Sequence, residues 1–219
     1  MNSLFVFALL ILTAILPVII LYIWKGRIKL PLSLPWFLTA LAAGIVSLVI
    51  AALAQNFFPF PLLPGSVGSI FLAIFVRIAF IEEVSRLFTL FPLIKAATPR
   101  RDLGFAAALG LAAGLGFAAA ENAFYGMANI GIIVLRIFTA APLHGACAIR
   151  AAAALFKFRT QPVRAIFLFL SAVIIHGAYN LIIVSPAIPG FLAVPTALIA
   201  LFISLPLIKD NMNDENVLI

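Results

Sequence analysis

Charge is what this sequence has least of. Only 10% of its 219 residues are Asp, Glu, Lys or Arg, while 65% are hydrophobic. A soluble domain carries about 25% charged and about 45–50% apolar residues, so a soluble globular protein is excluded. A disordered chain is excluded too, since disorder needs low hydrophobicity. The single cysteine rules out a disulfide framework and a cysteine-based zinc site. No polar segment is long enough to fold alone, so any function must sit in the apolar part. The net charge of +7 does not indicate nucleic acid. Most basic residues stand in short clusters between apolar runs, the pattern of cytoplasmic loops.

A membrane helix needs about 20 mostly apolar residues. Seven runs qualify: Ser3–Trp24, Trp36–Gln55, Val67–Ala97, Gly104–Tyr125, Ile133–Phe156, Arg164–Ser185 and Leu192–Ile208. The third is long for one span, so it should tilt, break or run on into the cytoplasm. The first has no basic start and no small-residue cleavage site before Lys25, and it reads as a retained span rather than a secretion signal. Basic residues follow the odd-numbered spans: Lys25, Arg27 and Lys29; Lys95, Arg100 and Arg101; Lys157, Arg159 and Arg164; Lys209. The connections near 56–66, 126–132 and 186–191 carry no charge. The positive-inside rule then places the N-terminus outside and the C-terminus in the cytoplasm. The expected fold is all-α and polytopic: one transmembrane domain over residues 1–209, then a polar cytoplasmic tail, 210–219.

Three of the seven acidic residues, Glu82, Glu83 and Glu121, lie inside these spans, as do both histidines, His144 and His176. Arg77, Arg86 and Arg136 join them, while Arg150 is near enough to the cytoplasmic end of its span to snorkel. An ionisable residue at a helix centre costs about 2.5–3.5 kcal/mol on insertion scales. Such groups face the bundle interior, pair, and mark function by default.

Glu82 and Arg86 are four apart and share a helical face, with Glu83 turned by about 100°. One carboxylate can pair with Arg86 while the other stays available for proton chemistry; the plain alternative is a structural ion pair. Glu121, Asn122 and Tyr125 continue a stripe of small residues, Gly110, Gly114 and Ala118, which admits a close neighbour helix. Here the alternative is a packing cluster. His144 follows Pro142, where a proline frees a backbone carbonyl. His176 and Asn180 share one face, so Asn180 can orient the ring or share a water or metal. A polar clasp between helices explains either histidine as well. Cys147 reads as a small buried hydrophobe. At about 1.5 Å per residue, Glu82 lies about 22 Å below the outer end of its span, His144 about 17 Å, His176 about 14 Å and Glu121 about 6–12 Å. All four can share one pocket in the middle-to-outer half of the bilayer.

The ordered set Glu82-Glu83-x-x-Arg86, Gly116-Phe117-x-x-x-Glu121-Asn122-x-x-Tyr125, Arg136 with Pro142 and His144, and His176-Gly177-x-Tyr179-Asn180 resembles the PrsW family of intramembrane proteases. More distantly, the chain is similar to the CAAX-protease and bacteriocin-processing superfamily. The resemblance covers residues 67–185. Two positions depart from the family pattern: Arg86 stands where Lys is common, and Asn180 where Asp is frequent. The resemblance implies hydrolysis of a peptide bond in a membrane-anchored protein near the outer face of the inner membrane. It names first-site cleavage of an anti-sigma factor as the associated activity.

On this reading Glu82 or Glu83 activates a water, and His144 and His176 stabilise the oxyanion or move protons. Asn180 orients His176 or binds the oxyanion, while Arg86, Glu121, Asn122, Tyr125 and Arg136 support the pocket. The partners are a membrane-anchored protein and the lipid bilayer, with no nucleic acid. No His-Glu-x-x-His spacing is present, so the expectation is catalysis without a cofactor. Zinc is the alternative, bound among Glu82, Glu83, Glu121, His144 and His176. The rival functions are a proton-coupled transporter or channel, since buried Glu and His also build proton relays, and an inactive membrane scaffold.

Overall fold

The computed structural model describes residue 11 and residues 15–23, 30–57, 67–97, 102–126 and 130–209. Among these residues every regular element is helical. Helix α1 is described over residues 15–23. Then come α2 (Leu34–Phe57), a short α3 (Val67–Phe71), a π-helical stretch (Leu72–Phe80), α4 (Ile81–Ala96), α5 (Leu103–Gly126), α6 (Ile130–Lys157) and α7 (Pro162–Val184). A 3₁₀ turn (Gly190–Leu192), α8 (Ala193–Ser204) and α9 (Pro206–Lys209) close the chain.

Five stretches are long and apolar enough to cross a bilayer: Leu34–Phe57, Leu103–Tyr125, Leu135–Lys157, Pro162–Val184 and Gly190–Lys209. The protein is an all-α, multi-pass membrane protein. The first expected span, Ser3–Trp24, lies largely outside the described residues, as do the tail 210–219 and parts of the connections 56–66 and 126–132. The long third run is one continuous helical rod whose winding changes: α3, the π stretch and α4 follow one another without a loop.

Local chemistry sets several helix ends. Asp102 caps α5, its Oδ1 accepting the Phe105 N–H at 2.5 Å. Pro162 opens α7 at the first helical position, where its missing N–H costs nothing. The outward faces carry large apolar side chains such as Phe88, Phe167 and Phe202, which suits contact with lipid.

Lipid tails are as apolar as leucine, so bilayer helices associate through close packing of small residues rather than hydrophobic exclusion. The sequence supplies those residues in α5 and α6, where Ala106–Ala108, Ala112, Ala113, Ala148 and Ala151–Ala153 are buried. Helix α5 is the central member: its apolar window is 89% buried, against 28% in α2 and α7. It packs between α2 and α6. At Gly114 the approach is so tight that a Cβ would overlap the backbone carbonyl of His144. The small-residue stripe thus brings the polar end of α5 against the histidine of α6.

Candidate active site and metal centre

Four helices deliver the buried ionisable groups to one place. The start of α4 supplies Glu82, Glu83 and Arg86, all buried. The end of α5 supplies Glu121 and Asn122, the middle of α6 supplies Arg136 and His144, and α7 supplies His176.

Glu83 is the anchored carboxylate. Its Oε1 forms a very short ion pair with Arg86 Nη1 and lies 2.8 Å from His176 Nδ1. A carboxylate only accepts, so the His176 Nδ1–H donates and Nε2 is left facing Glu82. Both glutamates pair with Arg86, unequally: Glu82 Oε2 is 3.9 Å from Arg86 Nη2, and the close partner is Glu83, three residues away. Spacings of three and four both bring helical side chains together, and His176 on α7 decides between them by holding Glu83.

Glu82 is the loosely held one. Gln55, on α2, donates from Nε2 to its Oε1 at 3.3 Å. Its Oε2 is buried without a hydrogen-bond partner and lies 3.5 Å from His176 Nε2.

His144 bridges two charged groups. Arg86 Nη2 lies 2.5 Å from its Nδ1, and Glu121 Oε2 lies 2.7 Å from its Nε2. A guanidinium only donates, so Nδ1 accepts and the Nε2–H is given to Glu121. The His144 and His176 rings meet edge to face, centroids 5.1 Å apart, and Phe117 covers both His144 and the Arg86 guanidinium. Arg136 binds Glu121 Oε2 at 2.6 Å and donates from Nε to Asn122 Oδ1 at 2.9 Å. Its guanidinium stacks over the half-exposed Tyr125 ring. The Tyr179 hydroxyl donates to Thr139 at 2.8 Å, tying α7 to α6 beside the two histidines.

Not every expected residue joins this network. Asn180, one turn beyond His176, is half-buried and takes no part in the bonds above. Arg150 does not snorkel freely; it donates to Ser204 and Ser171, each at 2.9 Å, and links α6 to α8 and α7. Cys147 is buried, as expected of a small hydrophobe. Gln55 and Thr139 were missed by sequence reasoning. Gln55 ends an apolar run and looks like a span boundary, and one hydroxyl in a span carries no signal.

Glu82, His144 and His176 each offer one ligand atom, all within 4.8 Å of one another, and all three residues are buried. Two nitrogens and an oxygen form a zinc-type donor set. Two ligand atoms of a tetrahedral zinc with bonds of about 2.1 Å sit about 3.4 Å apart, which matches the 3.5 Å between Glu82 Oε2 and His176 Nε2. The same gap is long for a charge-assisted hydrogen bond, and that oxygen has no donor. Glu83 behind His176 is the kind of outer carboxylate that a metal-ligating histidine uses. The residues fit a divalent ion. Ligation by His144 through either nitrogen requires release of Arg86 or Glu121 from that atom.

Residues 32–208 match the sequence profile of the PrsW family intramembrane metalloproteases. The chain belongs to that family. No curated protein and no solved structure gives a significant match. As a PrsW-family protein it is a membrane-embedded hydrolase that cleaves membrane-anchored protein substrates. The expectation of catalysis without a cofactor is overturned. The PrsW family is a metalloprotease family, and a three-residue metal-type cluster lies among the family-motif residues. The expectation failed because the ligands come from α4, α6 and α7, and separated helices leave no short spacing motif to read.

Proposed function

We propose that Glu82, His144 and His176 hold a divalent metal ion, zinc by donor type, and that the protein makes the first cut in a membrane-anchored substrate near the outer face of the inner membrane. An anti-sigma factor is the substrate that the family points to. The observation carrying this reading is the bare Glu82 Oε2, buried opposite His176 Nε2 in a cluster of three metal-type donors.

Glu82, His144 and His176 would hold a divalent ion whose Lewis acidity would polarise the scissile carbonyl and make a water more acidic. Glu121 takes the proton of the attacking water and passes it to the leaving amine. Of the three carboxylates it has the most exposed side chain, 16% against 8% for Glu82 and 0% for Glu83, and it lies on the side from which outer water enters. Arg136 holds Glu121 in place. Glu83 fixes the tautomer and tilt of His176, and Arg86 neutralises Glu83. Asn180, on the same face as His176, donates to the developing oxyanion. Asn122, whose Nδ2 is unpaired, donates to a substrate carbonyl.

The test uses full-length protein in proteoliposomes with a membrane-anchored reporter. Purified protein should carry about one metal ion per chain, and chelation should abolish cleavage until metal is restored. Glu121→Gln should retain the metal and lose about 10²–10⁴-fold in rate, the usual contribution of a general base. Full cleavage after chelation, with no stoichiometric metal, would refute the metal centre. Near-normal cleavage by Glu121→Gln would refute the base assignment alone.

A further inference from the structure

At the opposite end of the bundle from this site, α4 and α6 end in basic residues, Lys95 and Lys157. Between the two ends lies a cavity of about 230 Å³ lined by Lys95 and Arg159 together with Phe91, Ile94, Leu155 and Phe158. No acidic side chain among the described residues lines it. A second, apolar groove of about 180 Å³ shares Leu155 and Phe158 with the first and continues along α4 and α7 past Leu87, Ala165, Ile166 and Phe169. From Lys95 back to Leu87 the pair follows one face of α4 for about 12 Å at 1.5 Å per residue. The cationic cavity and the apolar groove thus adjoin at Leu155 and Phe158.

From this juxtaposition we infer that the α4–α6–α7 cleft is a binding site for one anionic phospholipid. The phosphate sits between Lys95 and Arg159, and an acyl chain lies in the apolar groove. Charge complementarity selects the headgroup, since juxtamembrane cations attract anionic lipids and basic pockets between transmembrane helices hold their headgroups. The shared Leu155 and Phe158 make headgroup and chain parts of one ligand. A free phosphate would use the cationic cavity and leave the groove empty. The site does not depend on the hydrolytic reading, although its occupant would pack against the helix that carries Glu82 and Glu83.

The test reconstitutes full-length protein in phosphatidylcholine vesicles with trace spin-labelled phosphatidylglycerol or spin-labelled phosphatidylcholine. The wild type should immobilise phosphatidylglycerol preferentially, with about fivefold lost for each cation removed. Lys95→Gln and Arg159→Gln should each reduce the preference, and the double variant should bring the two lipids to parity. Lys209→Gln alters an exposed lysine outside the cleft and should leave the preference unchanged. Arg159 is exposed, so its variant reports even if the double variant inserts poorly. Equal association of both lipids with the wild type would overturn the inference, as would an unchanged preference in Arg159→Gln. Displacement of the labelled lipid by millimolar inorganic phosphate would reassign the cationic cavity to free phosphate and overturn the lipid assignment.

Discussion

Replacing Glu82 and Glu83 in turn by Gln separates two roles that adjacent residues hide from each other. Glu83 has no exposed surface and neutralises Arg86, itself fully buried, while also accepting from His176. Without its charge, the nearest carboxylate oxygen of Glu82 is 3.9 Å from the guanidinium. Breaking a buried pair from one side costs about 3–5 kcal/mol. At about 2–4 °C per kcal/mol for a chain of this size, Glu83→Gln should lower Tm by about 6–20 °C. Glu82 accepts one long hydrogen bond, from Gln55 at 3.3 Å, and its other oxygen accepts none. In the metal-free protein Glu82→Gln should therefore cost no more than about 1 kcal/mol of stability, while in the loaded protein it empties the metal site and abolishes cleavage. The assay is thermal unfolding of each variant after chelation, in one detergent at one scan rate, alongside metal content and cleavage of the unchelated protein in proteoliposomes. A Glu82→Gln protein that melts below Glu83→Gln, or that keeps its metal, would refute the division between a ligand and an anchor.

Gly114→Ala places a methyl against the His144 carbonyl and should cost about 1–3 kcal/mol, as overpacking does, with a fall in cleavage readable beside the Tm. Gln55→Leu removes the donor behind Glu82 and should weaken metal affinity by about 10–100-fold, the usual effect of an outer partner, measured by competition with a chelator. In a Cys147→Ser background, an impermeant maleimide should label Ala187→Cys in intact cells and label Thr160→Cys only after lysis; both positions are exposed in loops. The reverse pattern would invert the topology read from the basic connections.

Much of the architecture was legible because the bilayer imposes a coarse rule: about 20 apolar residues between polar connections. The limits read for α5, α6 and α7 lie within a few residues of those in the structure. The buried acids and histidines stood out for the same reason, since apolar surroundings make each one costly. Their pairing was not legible. Whether Arg86 takes Glu82 or Glu83 depends on which one His176 reaches from α7, and no spacing within α4 encodes that. Gln55 reaches Glu82 across 27 residues, a contact that only the packing of α2 on α4 creates. The metal centre stood only as the alternative because its donors are 62 and 32 residues apart, from Glu82 to His144 and from there to His176.

The π-helical stretch before the glutamate pair works as a register screw. Phe75 within it lies against Gly177, where even a methyl would meet its ring, so the stretch is pinned to α7 one residue after His176. Everything downstream inherits its angular bearing from the winding between that pin and Ile81. An α-helix turns by about 100° per residue, and a π turn absorbs one more residue than an α turn. Rewinding one of its π turns as an α turn with no residue removed would carry the extra residue downstream: it would swing Glu82 to the bearing that Glu83 holds now, and point the bare carboxylate where the anchoring one belongs.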